Sequence, residues 1–164
     1  MSPKERKCSH CTIFNDGKGN WYYASQARLP KSVDNAIMLG HVRSIRWTKD
    51  GWPLVMPERY GAVPQVAITE EELIGNWEHI DLSYSYGVQK ESATMTLAAD
   101  HTITEGTWKG GTWSYDAEQQ ILTANGIDLY LQREVDWEAS PRTPTIVYAA
   151  YGSNHKTYWG KKVK

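Results

Sequence analysis

The residues best suited to chemistry cluster near the start of the chain. His10 lies between two cysteines in Cys8-Ser9-His10-Cys11 and directly precedes an alternating run. Its two ring nitrogens can divide their work, one facing a metal or a water while the other is fixed by a carbonyl. A solvated histidine, or one satisfied within a core, would read the same way. The cysteines have the spacing of half a zinc site or a redox pair, but a structural zinc needs a second ligand pair and none follows. Two incidental thiols are the simpler reading. His41 offers the same chemistry with less context, and Arg28, Arg43 and Arg46 sit among aromatic residues, where a guanidinium stacks or binds carboxylates. Acid–base hydrolysis would need two carboxylates facing each other, and sequence spacing cannot identify such a pair among 19 acidic residues. Asp136 and Glu138 flank Trp137, so strand alternation puts them on one face. A solvated strand end accounts for them equally well. Gly-x-Ser-x-Gly, His-Glu-x-x-His, Walker and dinucleotide patterns are all missing, so the chain shows no self-contained catalytic constellation.

The elements that must position these residues are strands. In the first third, alternating runs at Thr12 to Asn15, Trp21 to Arg28, Ala36 to Trp47 and Pro53 to Met56 are separated by Asp16-Gly17-Lys18-Gly19, by a connection over Pro30 to Asp34, and by Lys49-Asp50-Gly51. The hairpin within His41 to Tyr60 is the clearest of these, with Trp47 and Trp52 flanking its tip. Such a sheet, with aromatics on both faces, needs a partner. Pro57, Gly61 and Pro64 mark a linker, and Thr69 to Glu72 fits a capping box that opens a short helix stopped by Gly75. Glu70, Glu71 and Glu72 are best spent there. From Trp77 the pattern is eight short strands, ending with Lys156 to Gly160, and Asn125-Gly126 is the strongest hairpin turn. Strands so closely spaced predict an up-and-down barrel, with a sandwich as the alternative. The domains expected are a segment over 1–60, a linker over 61–68 and a barrel over 69–164.

Composition narrows the function classes. Eight Trp and ten Tyr against one Phe give aromatic surface with hydrogen-bonding tips, suited to a β-rich core or to stacking against sugars. Residues 1–53 carry nine Lys/Arg and four Asp/Glu, a balance of +5, whereas 54–164 carry nine and fifteen, a balance of −6. Opposite charges favour docking of the two parts. The basic residues are scattered, which argues against a nucleic-acid partner, and the tail Lys161, Lys162, Lys164 reads as solvated. No apolar run approaches membrane-spanning length. The N-terminus MSPKERK has no apolar signal core.

Several motifs converge on one resemblance. Ser9 to Phe14, Gly19 to Tyr23 leading to Gln26-Ala27-Arg28-Leu29-Pro30, Met38 to Arg43, and the hairpin Trp47 to Pro53 followed by Pro57-Glu58-Arg59-Tyr60 resemble the end of the five-bladed propeller of glycoside hydrolase family 43 endo-1,5-α-L-arabinanases. Gly75-Asn76-Trp77-Glu78-His79, Asp136 to Arg142 and Trp159 to Lys162 resemble the additional C-terminal barrel of the two-domain members. The resemblance implies an all-β chain: a partial propeller blade, then a small closed lipocalin-like barrel. It implies inverting hydrolysis of arabinan by carboxylates on earlier blades, beside a bound calcium. The catalytic carboxylates are then expected outside this chain, and no cofactor is expected for the chain alone. The family's metal-proximal histidine falls on His10. Where other members often carry a further histidine, this sequence has Gln26. The family context implies an extracellular protein whose partner is arabinan or an arabino-oligosaccharide. The expected role is non-catalytic support of the substrate cleft, and the alternative is an autonomous carbohydrate-binding module. No membrane partner is expected, and unpaired strand edges invite self-association.

Overall fold

The structure is a computed structural model that describes residues 8–28, 36–83, 88 and 90–163. The chain divides into two compact units, 1–55 and 56–164. Unit 1 is an antiparallel meander of β1 (Cys8–Asn15), β2 (Trp21–Arg28), β3 (Met38–Trp47) and β4 (Pro53–Val55), paired in chain order. The predicted turns do the joining. The Asp16 carboxylate accepts the backbone N–H groups of Lys18 (2.8 Å) and Asn20 (3.1 Å), closing the first hairpin. Gly51 adopts φ 81° at the tip of the β3–β4 hairpin, and the Thr48 hydroxyl accepts the Trp52 N–H at 2.8 Å. The expected connection over Pro30 to Asp34 lies outside the described residues.

Unit 2 opens with an extended strap over 56–68, then one 3₁₀ turn, Glu71–Leu73. The capping box forms only in part: the Glu72 carboxylate accepts the Thr69 N–H at 2.9 Å, while the helix ends after that one turn. Eight strands follow: β5 (Gly75–Asp81), β6 (Ala93–Leu97), β7 (Ile103–Glu105), β8 (Trp113–Asp116), β9 (Ile121–Ala124), β10 (Ile127–Asp136), β11 (Thr143–Tyr151) and β12 (Thr157–Lys162). They form one antiparallel sheet in the order β7-β6-β5-β12-β11-β10-β9-β8, so the first strand pairs with the last. The two edges then meet. Thr102 bridges Thr112, the Trp113 N–H donates to the His101 carbonyl at 2.8 Å, and the Ile103 N–H donates to that of Gly111 at 2.9 Å. Asn125 and Gly126, at φ 49° and 76°, give the double left-handed turn that a two-residue hairpin requires. The chain is therefore all-β, a four-stranded sheet followed by a nearly closed barrel.

The barrel interior is filled by side chains, with Trp77, Met95, Leu97, Leu122, Leu129, Leu131 and Tyr148 all buried. Its tightest contact spans three strands. Tyr148 on β11 lies opposite Gly160 on β12, which lies opposite His79 on β5. A Cβ at position 160 would come within 2.1 Å of the Tyr148 ring. The ring thus lies across the space a side chain would occupy, and its hydroxyl meets His79 Nδ1 at 2.5 Å. His79 is flanked by Tyr158, stacked at 5.3 Å, and by Trp108 at 4.4 Å. Its Nε2 is buried without a hydrogen-bond partner among the described residues. Burial pushes the Tyr148 phenol up, so it keeps its proton, and burial brings the His79 imidazole down to about 4 against the weaker opposing pull of Asp81.

Two outcomes follow for the barrel. Gly160→Ala forces the Tyr148 ring out of its place and should destabilise by about 3 kcal/mol in chemical denaturation, the upper part of the overpacking range. The unfolded His79 imidazole takes up its proton near 6.5, the folded one only near 4. Between those values the unfolded state binds the extra proton, so stability falls as pH drops through that window, by up to about 3 kcal/mol in total. His79→Gln should lose less stability than wild type between pH 7 and 4.5, measured as denaturation midpoints. Equal losses would mean that His79 does not govern the acid sensitivity.

Candidate functional site

In unit 1, His10 lies at a β-bulge. The β1–β2 register shifts between Ser9, opposite Gln26, and Cys11, opposite Ser25, so His10 is the extra residue. It takes φ 64°, the left-handed region, and its exposed side chain places Nδ1 2.8 Å from Gln26 Nε2. Sequence reading singled out His10 but gave no signal for the bulge or for the Gln26 contact. Among the other residues weighed there, Cys11 and His41 lie in one row across the sheet, each opposite Ser25. Cys11 is a free, exposed thiol. His41 is buried on β3. Among the described residues, no group of three metal-ligating side chains includes His10. Calcium takes six to eight oxygen ligands, so His10 fits at most as one ligand in a site that other groups complete.

In unit 2, β10 ends at Asp136, and in place of the expected strand alternation a bend follows in which the Asp136 carboxylate accepts the backbone N–H groups of Glu138 (3.0 Å) and Ala139 (3.2 Å). The two carboxylates still meet, and a lysine lies between them. Lys161 Nζ lies 3.0 Å from Asp136, 2.9 Å from Glu138, 3.5 Å from Glu58 on the strap and 3.7 Å from Glu78 on β5. The sequence reading of Lys161 as solvated tail is corrected here: it is 9% exposed. The signal was available in the β12 pattern, since inward Tyr158 and Gly160 put position 161 on the outer face, over the acidic neighbours. Glu58, Asp136 and Glu138 hold their oxygens within 4.8 Å of one another, a spacing that would suit a cation, and the ammonium already supplies one. Burial works against the charge of Lys161, but hydrogen bonds and attraction from Glu138 and Asp136 prevail and raise its pKa. Glu58 is pushed up by burial, with Lys161 opposing and the other carboxylates adding to the rise. This group ties the strap to the barrel through the Lys161 ammonium.

From Gly61 to Ala67 the strap is tied to Arg133 and Glu134 of β10. The Gly61 N–H donates to the buried Glu134 carboxylate at 3.0 Å, and Gln65 exchanges bonds with the Arg133 backbone at 2.9 and 3.1 Å. The Arg133 guanidinium donates to the carbonyls of Val66 and Ala67 and forks onto Glu72 at 3.0 and 2.7 Å. Trp137 donates to the Arg59 carbonyl at 3.0 Å, and the Arg142 guanidinium lies 4.5 Å from the centre of its ring. Lys161→Met would leave the carboxylates without their cation. The expected cost is about 3 kcal/mol at pH 7, the low end for a broken buried pair because Glu78 and Glu138 are half exposed. Protonating the carboxylates relieves their repulsion, so the difference from wild type should shrink as pH falls toward 4. A deficit that stays constant with pH would exclude this electrostatic origin.

Comparison with known proteins agrees with this architecture. Residues 57–160 match the family described as the GH43_C C-terminal lipocalin-like domain. The chain is 23% identical over 159 residues to the extracellular endo-α-(1→5)-L-arabinanase 2 of Bacillus subtilis, covering 93% of this chain and 32% of that protein. A glycoside hydrolase family 43 protein of Bacillus licheniformis aligns with TM-score 0.77 at 23% identity, covering 96% of this chain and 35% of the other. The endo-1,5-α-L-arabinanase of Thermotoga petrophila aligns with TM-score 0.76 at 18% identity, over 96% and 35%. The chain thus spans about a third of the length of these relatives. With the family matched over most of its length, the chain belongs to the family of C-terminal lipocalin-like domains of glycoside hydrolase family 43.

Proposed function

We propose that this chain acts as the C-terminal, non-catalytic portion of an arabinan-degrading endo-1,5-α-L-arabinanase. Unit 1 is the terminal propeller blade, and the barrel supports the substrate cleft. The observation that carries this reading is the character of the four-stranded sheet. The β1–β2–β3 register puts Phe14, Met38 and Val42 on one face and Ile13, Leu39 and Trp47 on the other. All six are exposed. A sheet apolar on both faces is built to be covered on both, as a blade is by its neighbours.

The acidic residues fit the same reading. In unit 1, the described carboxylates are those of Asp16 and Asp50, both in hairpin turns, and Asp16 is engaged by Lys18 and Asn20. In unit 2, the carboxylates of Glu58, Glu78, Asp136 and Glu138 are gathered on the one ammonium of Lys161. The acid and base of an inverting hydrolase must stand apart across a water, and this reading puts them in the part of the relatives' length that this chain does not span. His10 then supplies one ligand, or one water-holding nitrogen, to a calcium site in the complete propeller. Arabinan or an arabino-oligosaccharide is the partner of the complete enzyme, which works outside the cell.

The test separates this role from that of an independent sugar-binding module, for which the 62% exposure of Trp52 is the supporting feature. The purified chain should release no reducing ends from linear arabinan and show no saturable binding of arabino-oligosaccharides in calorimetry. Fused behind the upstream propeller segment of a family relative, it should yield an active hydrolase. Saturable binding by the chain alone favours the module, and hydrolysis by the chain alone overturns the proposal. The uncovered sheet should also make the isolated chain associate with increasing concentration in sedimentation velocity.

A further inference from the structure

We propose that Gln26 is the positioning residue of His10: its amide captures Nδ1, so that Nε2 alone is presented outward and the ring is oriented before any ligand arrives. This rests on the reading of His10 as a functional residue and adds a partner for it. Three observations converge on the pair. The bulge between Ser9 and Cys11 places both Ser9 and His10 against the single residue Gln26. His10 holds a left-handed backbone, φ 64°, a conformation costly for a residue with a Cβ and retained where surrounding contacts fix it. Bulges re-aim side chains, and here the result is the 2.8 Å contact between His10 Nδ1 and Gln26 Nε2.

An amide suits this task in a way a carboxylate does not. With its nitrogen toward the ring, it donates to Nδ1, and the ring proton then sits on Nε2 as an outward donor. Turned over, its oxygen accepts from Nδ1–H, leaving Nε2 as a bare lone pair for a cation or a water proton. Either way the hydrogen bond to Nδ1 decides what Nε2 can do, as the second partner of a ligating histidine does. Gln26 reaches His10 from the neighbouring strand, so its position is set by the β1–β2 ladder and does not depend on a flexible loop.

Long-range proton–nitrogen NMR on the intact chain at pH 8 reads the tautomer of each histidine directly. Wild-type His10 should show a single neutral tautomer, and both Gln26→Leu and Gln26→Asn, whose amide is one methylene too short, should return it to the mixture shown by a free histidine side chain. Should a variant fail to fold, the wild-type spectrum alone still decides. His10 already mixed in wild type, or unchanged in the folded variants, overturns the proposal. Adding manganese chloride to the same samples tests the other reading. Selective broadening of His10 ring signals supports a metal-facing Nε2, whereas no broadening with a single tautomer removes the metal and leaves the positioning role standing.

Discussion

The contact between Tyr148 and Gly160 sets the conditions for the rest of the barrel. A phenol ring lying across a neighbouring strand needs a residue without a side chain beneath it, and the ring atoms lie 2.1 Å from where a Cβ would stand. Only from there does the hydroxyl reach past β12 to His79 on β5, joining three consecutive strands through one side chain. The strand bridged this way, β12, pairs with the first strand of the barrel on one side and with β11 on the other. The long-range pairing that brings chain ends together is the entropically costly step in such a topology. The tyrosine and the glycine specify its register, because a slip of one residue would set the Lys161 side chain under the ring.

The same register dictates the outer surface. With Gly160 turned inward, Lys161 must turn outward, and it meets carboxylates delivered by three separate segments: Glu58 from the strap, Glu78 from β5, and Asp136 with Glu138 from the end of β10. One buried cation shared among four acids is costly to break and a poor source of net stability, since each charge has given up water. Its use is specificity. The strap's polar groups find partners on β10, from Gly61 against Glu134 to Arg133 across the Val66 and Ala67 carbonyls, so that 56–68 is bonded to the barrel along its course.

What could be read from the sequence follows from how local each signal is. Asp16-Gly17, Asp50-Gly51 and Asn125-Gly126 specify their turns through left-handed backbone, and the strands between them emerge within a few residues of expectation. Trp21 to Arg28 agrees at both ends. The strap over 57–68 was legible only as proline and glycine punctuation, because its partners lie more than fifty residues away. Lys161 was misread for the same reason: its acids are local to three other segments. The capping box was seen, yet Glu72 is shared with Arg133, and the chain leaves the helix after one turn to enter β5. His10 stood out by type, whereas the bulge that turns it toward Gln26 has no composition of its own. Trp47 and Trp52, which flank the hairpin tip, are 38% and 62% exposed, and Trp47 meets Trp21 edge-on at 5.3 Å.

The two units differ in whether they satisfy their own surfaces, and that difference bears on chemistry. The barrel joins its edge strands, fills its interior with aromatic and aliphatic side chains, and gathers four of unit 2's acids around one lysine. The four-stranded sheet has β1 and β4 as its edges in the topology and carries exposed apolar residues on both faces. A catalytic cleft demands side chains held to within a fraction of an ångström by a rigid shell. A sheet that leaves large apolar side chains exposed on both faces does not provide that shell alone. In the proposed role, His10, at a bulge in the edge strand β1, would join a site that groups beyond this sheet complete.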